Sequence, residues 1–432
     1  MKYLPINPNL FVKNRKKIVQ SLLPKSVAIV LSNDEMPRSG DGDFVFRQSS
    51  ELFYLSGMDQ EKTILILCPD HPTERFREIL FIRHASKELE IWQGHKYTKQ
   101  EATETSGIKT IMWEDQFEKV FNDMVLANEN IYLNLNENVR FSSEVPYREM
   151  RFVEHIKGLF PLHKYHRLAP AITASRLVKE PEEIELIKNA IEITKQAYHR
   201  ILKFIKPGVM EYEIEAEITH EFLMRRASGH AYPPIIASGA GACVLHYVNN
   251  NQECISGDLI LIDFGAEYAN YNADCTRVIP VNGNFTNRQR EVYNATLRVM
   301  EYAKSLLIPG ITINEYHKKV CKRMEKELIQ LGLITQQQVD LESDDMPLEQ
   351  KAFFRYYMHG TSHFLGLDVH DVGSKNDVLQ EGMVVTCEPG IYIAEENIGI
   401  RLETNIVVGN PPLDLMADFP ILPEDIEEIM HS

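Results

Sequence analysis

The stretch His359 to Gly373, HGTSHFLGLDVHDVG, puts three histidines and two aspartates within fifteen residues. His359 and His363 have the i, i+4 spacing of a helical metal pair. Gly360, Thr361, Ser362 and Gly366 disfavour a helix there, so a loop feeding a strand is expected. Four carboxylates elsewhere extend the chemistry. Asp263 sits in LILIDFG, a run apolar enough to be buried on both faces, where an ionised acid is costly unless paired or metal-bound. Asp274 follows eleven residues later, and a hairpin turning at Tyr268 and Ala269 would set the two aspartates opposite one another. Glu388 and Glu403 repeat the arrangement about a turn at Glu395 and Glu396. Opposed residues have Cβ atoms about 4.5 to 5.5 Å apart, a separation at which bare carboxylates repel and ion-bound ones share a centre.

Each acid would otherwise pair with a base such as Arg277 or Arg401. Four acids in two matching hairpins favour cations instead. Two divalent ions cancel four negative charges, and His363 adds a neutral fifth ligand. That hard, oxygen-rich shell suits manganese first, with iron, cobalt or zinc as alternatives, and no thiolate cluster of a structural zinc site is present. Two ions about 3.5 to 4 Å apart would make a bridging water nucleophilic at neutral pH and polarise a carbonyl. Hydrolysis is the expected chemistry.

The rest of the chain must position these groups. Its 432 residues, 44% hydrophobic and 25% charged, are enough for two globular cores. A formal net charge of -16 argues against nucleic acid as a partner, since that binding rests on clustered Lys and Arg. Cys68, Cys243, Cys254, Cys275, Cys321 and Cys387 are scattered without a C-x-x-C pair, which predicts reduced thiols and a cytoplasmic address. The opening MKYLPINPNLFVKNRKK lacks an apolar run of signal-peptide length, and no uncharged run approaches the ~20 residues of a membrane span. An unprocessed protein that stays out of the membrane is expected.

From about Ser26 to Leu135 the runs VAIVL, TILILC, EILFIR and IYLNL alternate with helical patterns such as Asp115 to Ala127, an α/β reading. No glycine-rich phosphate loop follows any of these strands. In RSGDGDFVFRQSSELFYLSG, Asp41, Asp43 and Arg47 crowd an aromatic-rich strand signal, read as a polar turn entering a strand. Trp92 in IWQGHKY suits surface packing, or a contact to substrate or a second subunit. A boundary near Leu168 to Pro181 divides residues 1–172 from 173–432.

The second part reads as a duplication. A helix opening at Pro181, with acids in its first turn, ends at KPGV, and a second follows through EYEIEAEITHEFLMRRAS. About a hundred residues later a capping box, Thr286 with Gln289, starts a helix ending at IPGI, and Thr312 with Glu315 starts another. Strands follow each pair: ACVLHY, DLILIDFGAEY and YNADCTRVIPV, then MVVTCEPGIYI and GIRLETNIVV. Helices outside and strands inside imply a pseudo-twofold α+β domain with its site where the two sheets meet. Residues 333–350 read as a surface connection.

The blocks LIDFGAEY with YNADCTR, HGTSHFLGLDVHDVG, EPGIY and GIRLETNI resemble, in order and spacing, the metal-ligand blocks of the pita-bread metallopeptidases. FRQSSELFYLSG is similar to a motif in the N-terminal domain of the Xaa-Pro aminopeptidases. The resemblance implies a pita-bread C-terminal domain behind a smaller α/β domain, and removal of an N-terminal residue preceding proline by a metal-bridging hydroxide. It implies Asp263 as a ligand of one metal, Asp274 and Glu403 as bridging carboxylates, and His363 and Glu388 as ligands of the other, with Glu388 also a proton acceptor. His246, His359 and His370 resemble histidines that position substrate or shuttle protons, Arg401 a cation in that relay, and Tyr392 a substrate-site neighbour. Asp41 and Trp92 match positions implicated in substrate access or subunit contact, and a homodimer or homotetramer is implied. Thr404 departs from the acid often seen after the last glutamate, and Ala237 and Ala240 lie in a variable segment; no ligand is lost.

The competing readings are an Xaa-Pro dipeptidase, which would have to recognise a free proline carboxylate, and a non-catalytic peptide-binding module on the same fold, which should have lost ligands. A methionine aminopeptidase would not need the first ~170 residues, and a creatine amidinohydrolase-like enzyme should lack several of the five ligands.

Overall fold

The computed structural model describes residues 2–84, 86–343 and 345–432. Two compact units divide the chain, Tyr3–Arg176 and Leu177–Ser432, the second including Lys2.

The first unit is built on a six-stranded sheet in the order Thr110–Trp113, Glu78–Ile82, Ile64–Leu67, Ser26–Leu31, Asn130–Leu133, Lys164–Arg167. Ser26–Leu31 is buried at every position, as its unbroken apolar run requires. It pairs antiparallel with Ile64–Leu67 and parallel with Asn130–Leu133. Val27, Ile29, Ile66, Ile79 and Phe81 pack with Phe121 and Val125 of the helix Phe117–Ala127. Each fully buried side chain of this kind contributes roughly 1.5 to 3 kcal/mol.

One expected strand is absent. After the short hairpin Pro37–Ser39 with Gly42–Asp43, SELFYLS forms the helix Ser50–Ser56. The Ser49 side chain accepts from the Leu52 N–H at its start, and Gly57 ends it in a left-handed conformation. Two local caps outweigh the β preference of Phe53 and Tyr54.

The second unit shows the duplication. The helices Pro181–Phe204 and Glu211–Met224 form one pair, Asn287–Ser305 and Ile313–Gln330 the other. Both capping boxes form, at Thr286 with Gln289 and at Thr312 with Glu315. Leu259–Phe264 lies between Ile235–Ser238 and Cys275–Pro280, antiparallel to both. Val384–Cys387 pairs with Thr404–Val407, and Gly390–Ile393 with Ile398–Arg401.

ACVLHY is not a strand. Gly239, at φ 53°, opens the 3-10 turn Gly239–Cys243, and the irregular chain beyond is held by the buried Glu211 carboxylate, which accepts from Ser238 N at 2.8 Å and Tyr247 Oη at 2.8 Å. Among the described residues of 333–350, the short helix Gln336–Asp340 and the 3-10 turn Leu348–Gln350 are the regular elements, and most of these residues are exposed. Among the described residues, no helix is long and apolar enough to cross a membrane.

Candidate metal centre

The two hairpins bring their acids together by different registers. In the second, Cys387 faces Thr404 and Gly390 faces Arg401, so the flanking pairs set Glu388 level with Glu403, as the residue count predicts. In the first, the turn falls one residue later than expected. Ala269 and Asn270 take φ of 53° and 62°, the left-handed pair of a two-residue hairpin turn. Tyr268 then faces Tyr271, and Asp263 stands opposite Thr276 rather than Asp274. The offset of two residues keeps both aspartates on one face, because side chains alternate with a period of two. Gly265 permits it: a Cβ there would lie 1.8 Å from the Ala273 carbonyl oxygen.

The hairpins are tied to each other. Asp274 N–H donates to Asn405 Oδ1 at 3.2 Å, and Asn405 Nδ2 returns a bond to the Asp274 carbonyl at 2.7 Å. Thr276 Oγ1 donates to Glu403 Oε2 at 2.7 Å.

The histidine stretch is irregular, as its glycines require, and runs beside Val384–Cys387. Thr386 N–H donates to the His363 carbonyl at 2.9 Å and Glu388 N–H to the Thr361 carbonyl at 2.9 Å. His363 Nε2 is thereby 3.3 Å from Asp274 Oδ2 and 3.9 Å from Glu388 Oε1.

Asp274, His363 and Glu403 each offer a ligand atom within 4.8 Å of the others. Asp263 joins them through Tyr232, whose hydroxyl lies 2.6 Å from an oxygen of Asp263 and 2.6 Å from one of Asp274. Tyr232 is a site residue that sequence reasoning missed, since a tyrosine ahead of two prolines carries no signal of its own. Arg401 donates to Asp263 at 2.6 Å and to Tyr392 Oη at 2.9 Å, and Tyr392 Oη is 2.9 Å from His359 Nε2. Arg277 instead donates to the backbone carbonyls of Thr276 and Glu403. His370 sets its ring edge to face against His363, centroids 4.4 Å apart. His246 is exposed, near enough to His359 to disfavour a charge on the buried His359 ring. Asp41 and Trp92 are exposed residues of the first unit, Trp92 at 83%, and the acids belong to the second.

Burial dominates the electrostatics. It raises Asp263 above the usual carboxylate range, with Arg401 opposing and Asp274 adding to the effect. Burial, and then Asp274, Glu388 and Asp263, push Glu403 well above that range. Glu388 is pushed up to about 7 by burial, against the opposing charge of His363. One guanidinium touching one carboxylate does not offset this repulsion, whereas divalent cations on the same oxygens would. The donors, carboxylate oxygens with one imidazole nitrogen, fit such ions.

The profile of metallopeptidase family M24 matches residues 185–410, more than half the chain, and that of the aminopeptidase P N-terminal domain matches residues 11–132. The chain belongs to metallopeptidase family M24. Among M24 relatives, the Xaa-Pro aminopeptidase of Escherichia coli (strain K12) is 34% identical, over 97% of this chain and 97% of its own. The zinc-substituted E. coli aminopeptidase P in complex with product superposes with a TM-score of 0.87 at 32% identity, over 99% of each chain. The same enzyme with the inhibitor Pro-Leu gives 0.86 at 33%, again over 99% of each. The fold is accordingly an aminopeptidase P N-terminal domain followed along the chain by the pita-bread domain of M24. Membership of a metallopeptidase family implies divalent metal ions, and the buried acids with His363 are the group suited to hold them.

Proposed function

We propose that the chain is a dinuclear-metal aminopeptidase that releases the first residue of peptides with proline in second position. The convergence of Asp274, His363 and Glu403, with Asp263 joined through Tyr232, carries this reading. Asp263, Asp274, His363, Glu388 and Glu403 would hold the ions. Bound there, two divalent ions, manganese by preference, would supply an activated water and polarise the scissile carbonyl.

The remaining roles fall to groups around the acids. Glu388, whose Oε2 lies 3.9 Å from His359 Nδ1, accepts the proton that the attacking water gives up. Arg401, fixed between Asp263 and Tyr392, holds the wall on which Tyr392 and His359 meet substrate. His246 flanks them, and His370 beside His363 passes the proton to the leaving amine. Ile91 and Trp92, 80% and 83% exposed on the helix Lys87–Gln93, suit a contact with a second copy in a homodimer or homotetramer. Six free thiols suit the reducing cytoplasm.

The bond before proline is a tertiary amide without an N–H, and proline restricts the residue ahead of it. A site that holds the ring by shape and acts on the carbonyl needs no N–H to grip. A matched set, Xaa-Pro, Xaa-Pro-Yaa and Xaa-Ala-Yaa, tests this. Release of Xaa from Xaa-Pro-Yaa in preference to Xaa-Ala-Yaa is expected. Cleavage of the dipeptide alone would make the protein an Xaa-Pro dipeptidase, and silence on all three would favour a peptide-binding module.

A further inference from the structure

His370 is exposed, yet its ring stays against that of His363, centroids 4.4 Å apart. A loop side chain holds such a place only if the backbone beside it is tied down. The tie is the next residue. Asp371 Oδ2 accepts from Lys179 Nζ at 2.7 Å, and both side chains are 1% exposed. Lys179 stands just ahead of the helix Pro181–Phe204, its own N–H bonded to the Gly382 carbonyl. Buried Glu183 feels the same cation and accepts from Tyr271 Oη at 2.9 Å. Asp371 N–H donates to the Phe364 carbonyl at 2.9 Å, closing the loop between the two histidines. Gly366 completes the fit, since a Cβ there would stand 2.4 Å from Asp371 Oδ2 and 3.0 Å from Lys179 Cε. From the other side Asn272, two residues before Asp274, donates its Nδ2 to the carbonyls of Gly366 and Leu367 at 3.0 and 2.9 Å.

A buried ion pair adds little net stability, because desolvation offsets most of the attraction; its better-attested use is to select one arrangement. We infer that Lys179, through its pair with Asp371, is a positioning residue that holds His370 against His363. The inference rests on the catalytic role proposed for His370.

The test compares Lys179→Met, Asp371→Asn and the double variant in the full chain. Each single change strands a buried charge and lowers Tm, while the double change strands neither partner of the pair and restores Tm except for the part owed to buried Glu183, which loses the same cation. If the pair positions His370, the restored double variant still turns over the proline tripeptide at least about tenfold more slowly, in kcat rather than KM. Manganese affinity by calorimetry stays within about threefold of the unsubstituted protein, a smaller change than loss of a partner to a metal ligand causes. The His370 ring resonances of the metal-free protein, assigned by their loss in His370→Gln, shift or broaden in the double variant. A second variant, Lys179→Arg, keeps the charge and displaces Asp371; the larger head group lowers Tm by overpacking this tight site, and kcat should fall while KM does not.

A kcat that returns with Tm in the double variant, an unchanged rate in Lys179→Arg, or His370 resonances that stay in place would each overturn the inference. So would a loss of manganese affinity as large as the loss of rate, which would locate the effect at His363. If the unsubstituted protein cleaves no proline peptide, the proposed function fails, and the His370 resonances still decide the positioning.

Discussion

Arg401 reaches Asp263 with Nη2 to Oδ2 at 2.6 Å, setting a buried guanidinium against one acid of a four-carboxylate cluster. The contact places its positive charge where the ions would add theirs. Arg401→Met should therefore cost the metal-free protein about 3 to 5 kcal/mol, the usual result of stranding a buried charge. In manganese-loaded protein the cost should be less than half of that, because the ions supply the missing charge. Calorimetric unfolding with chelator and with manganese checks this, and equal losses in both conditions would contradict it.

Gly265 faces a tighter constraint than conformational preference. The Ala273 carbonyl oxygen lies 1.8 Å from where its Cβ would be, so Gly265→Ala must push the strands apart beside Asp274. Overpacking of this kind typically costs about 1 to 3 kcal/mol. The expected outcome is a lower Tm together with weaker manganese binding by calorimetry; normal binding at a normal Tm would show that the strands separate freely.

Glu149 gives the first unit a pH dependence. Burial first, then the neighbouring Glu51, push its carboxyl up to about 8, against the bond from Asn134 Nδ2. An acid raised on folding holds its proton in the native state and releases it on unfolding. Its contribution is fully present below the unfolded value near 4.5 and is lost as pH rises towards 8. Both tryptophans, Trp92 and Trp113, lie in this unit, so their fluorescence follows its unfolding alone. The urea midpoint should fall between pH 5 and pH 8, by roughly a few kcal/mol in stability. Glu149→Gln should flatten the dependence; an unchanged slope would assign it to another group.

The two hairpins mark how far the sequence could be read. Glu388 and Glu403 could be set level by counting, because the residues between them form one continuous register. The first count misplaced the turn by one residue, since Ala269 gives no sign that it will share the left-handed conformation with Asn270. The error spared the chemistry because the period of two kept Asp274 on the face of Asp263. The helix Ser50–Ser56 hid behind strand-like Phe53 and Tyr54, its Ser49 cap being a weaker sequence signal than its aromatics. Tyr232 and the Lys179–Asp371 pair were out of reach for another reason. Each acts across long stretches of chain, Lys179 and Asp371 being 192 residues apart, and no local pattern announces such a meeting.

The most direct test of the central claim is the rate of Xaa release from an Xaa-Pro-Yaa peptide as manganese is titrated into chelator-stripped protein, run beside Asp274→Ala. The account predicts a rate that climbs from near zero and saturates as two ions bind per chain, with no such rise in the variant. Full activity in the stripped protein, or saturation of Asp274→Ala at the unsubstituted rate, would contradict it.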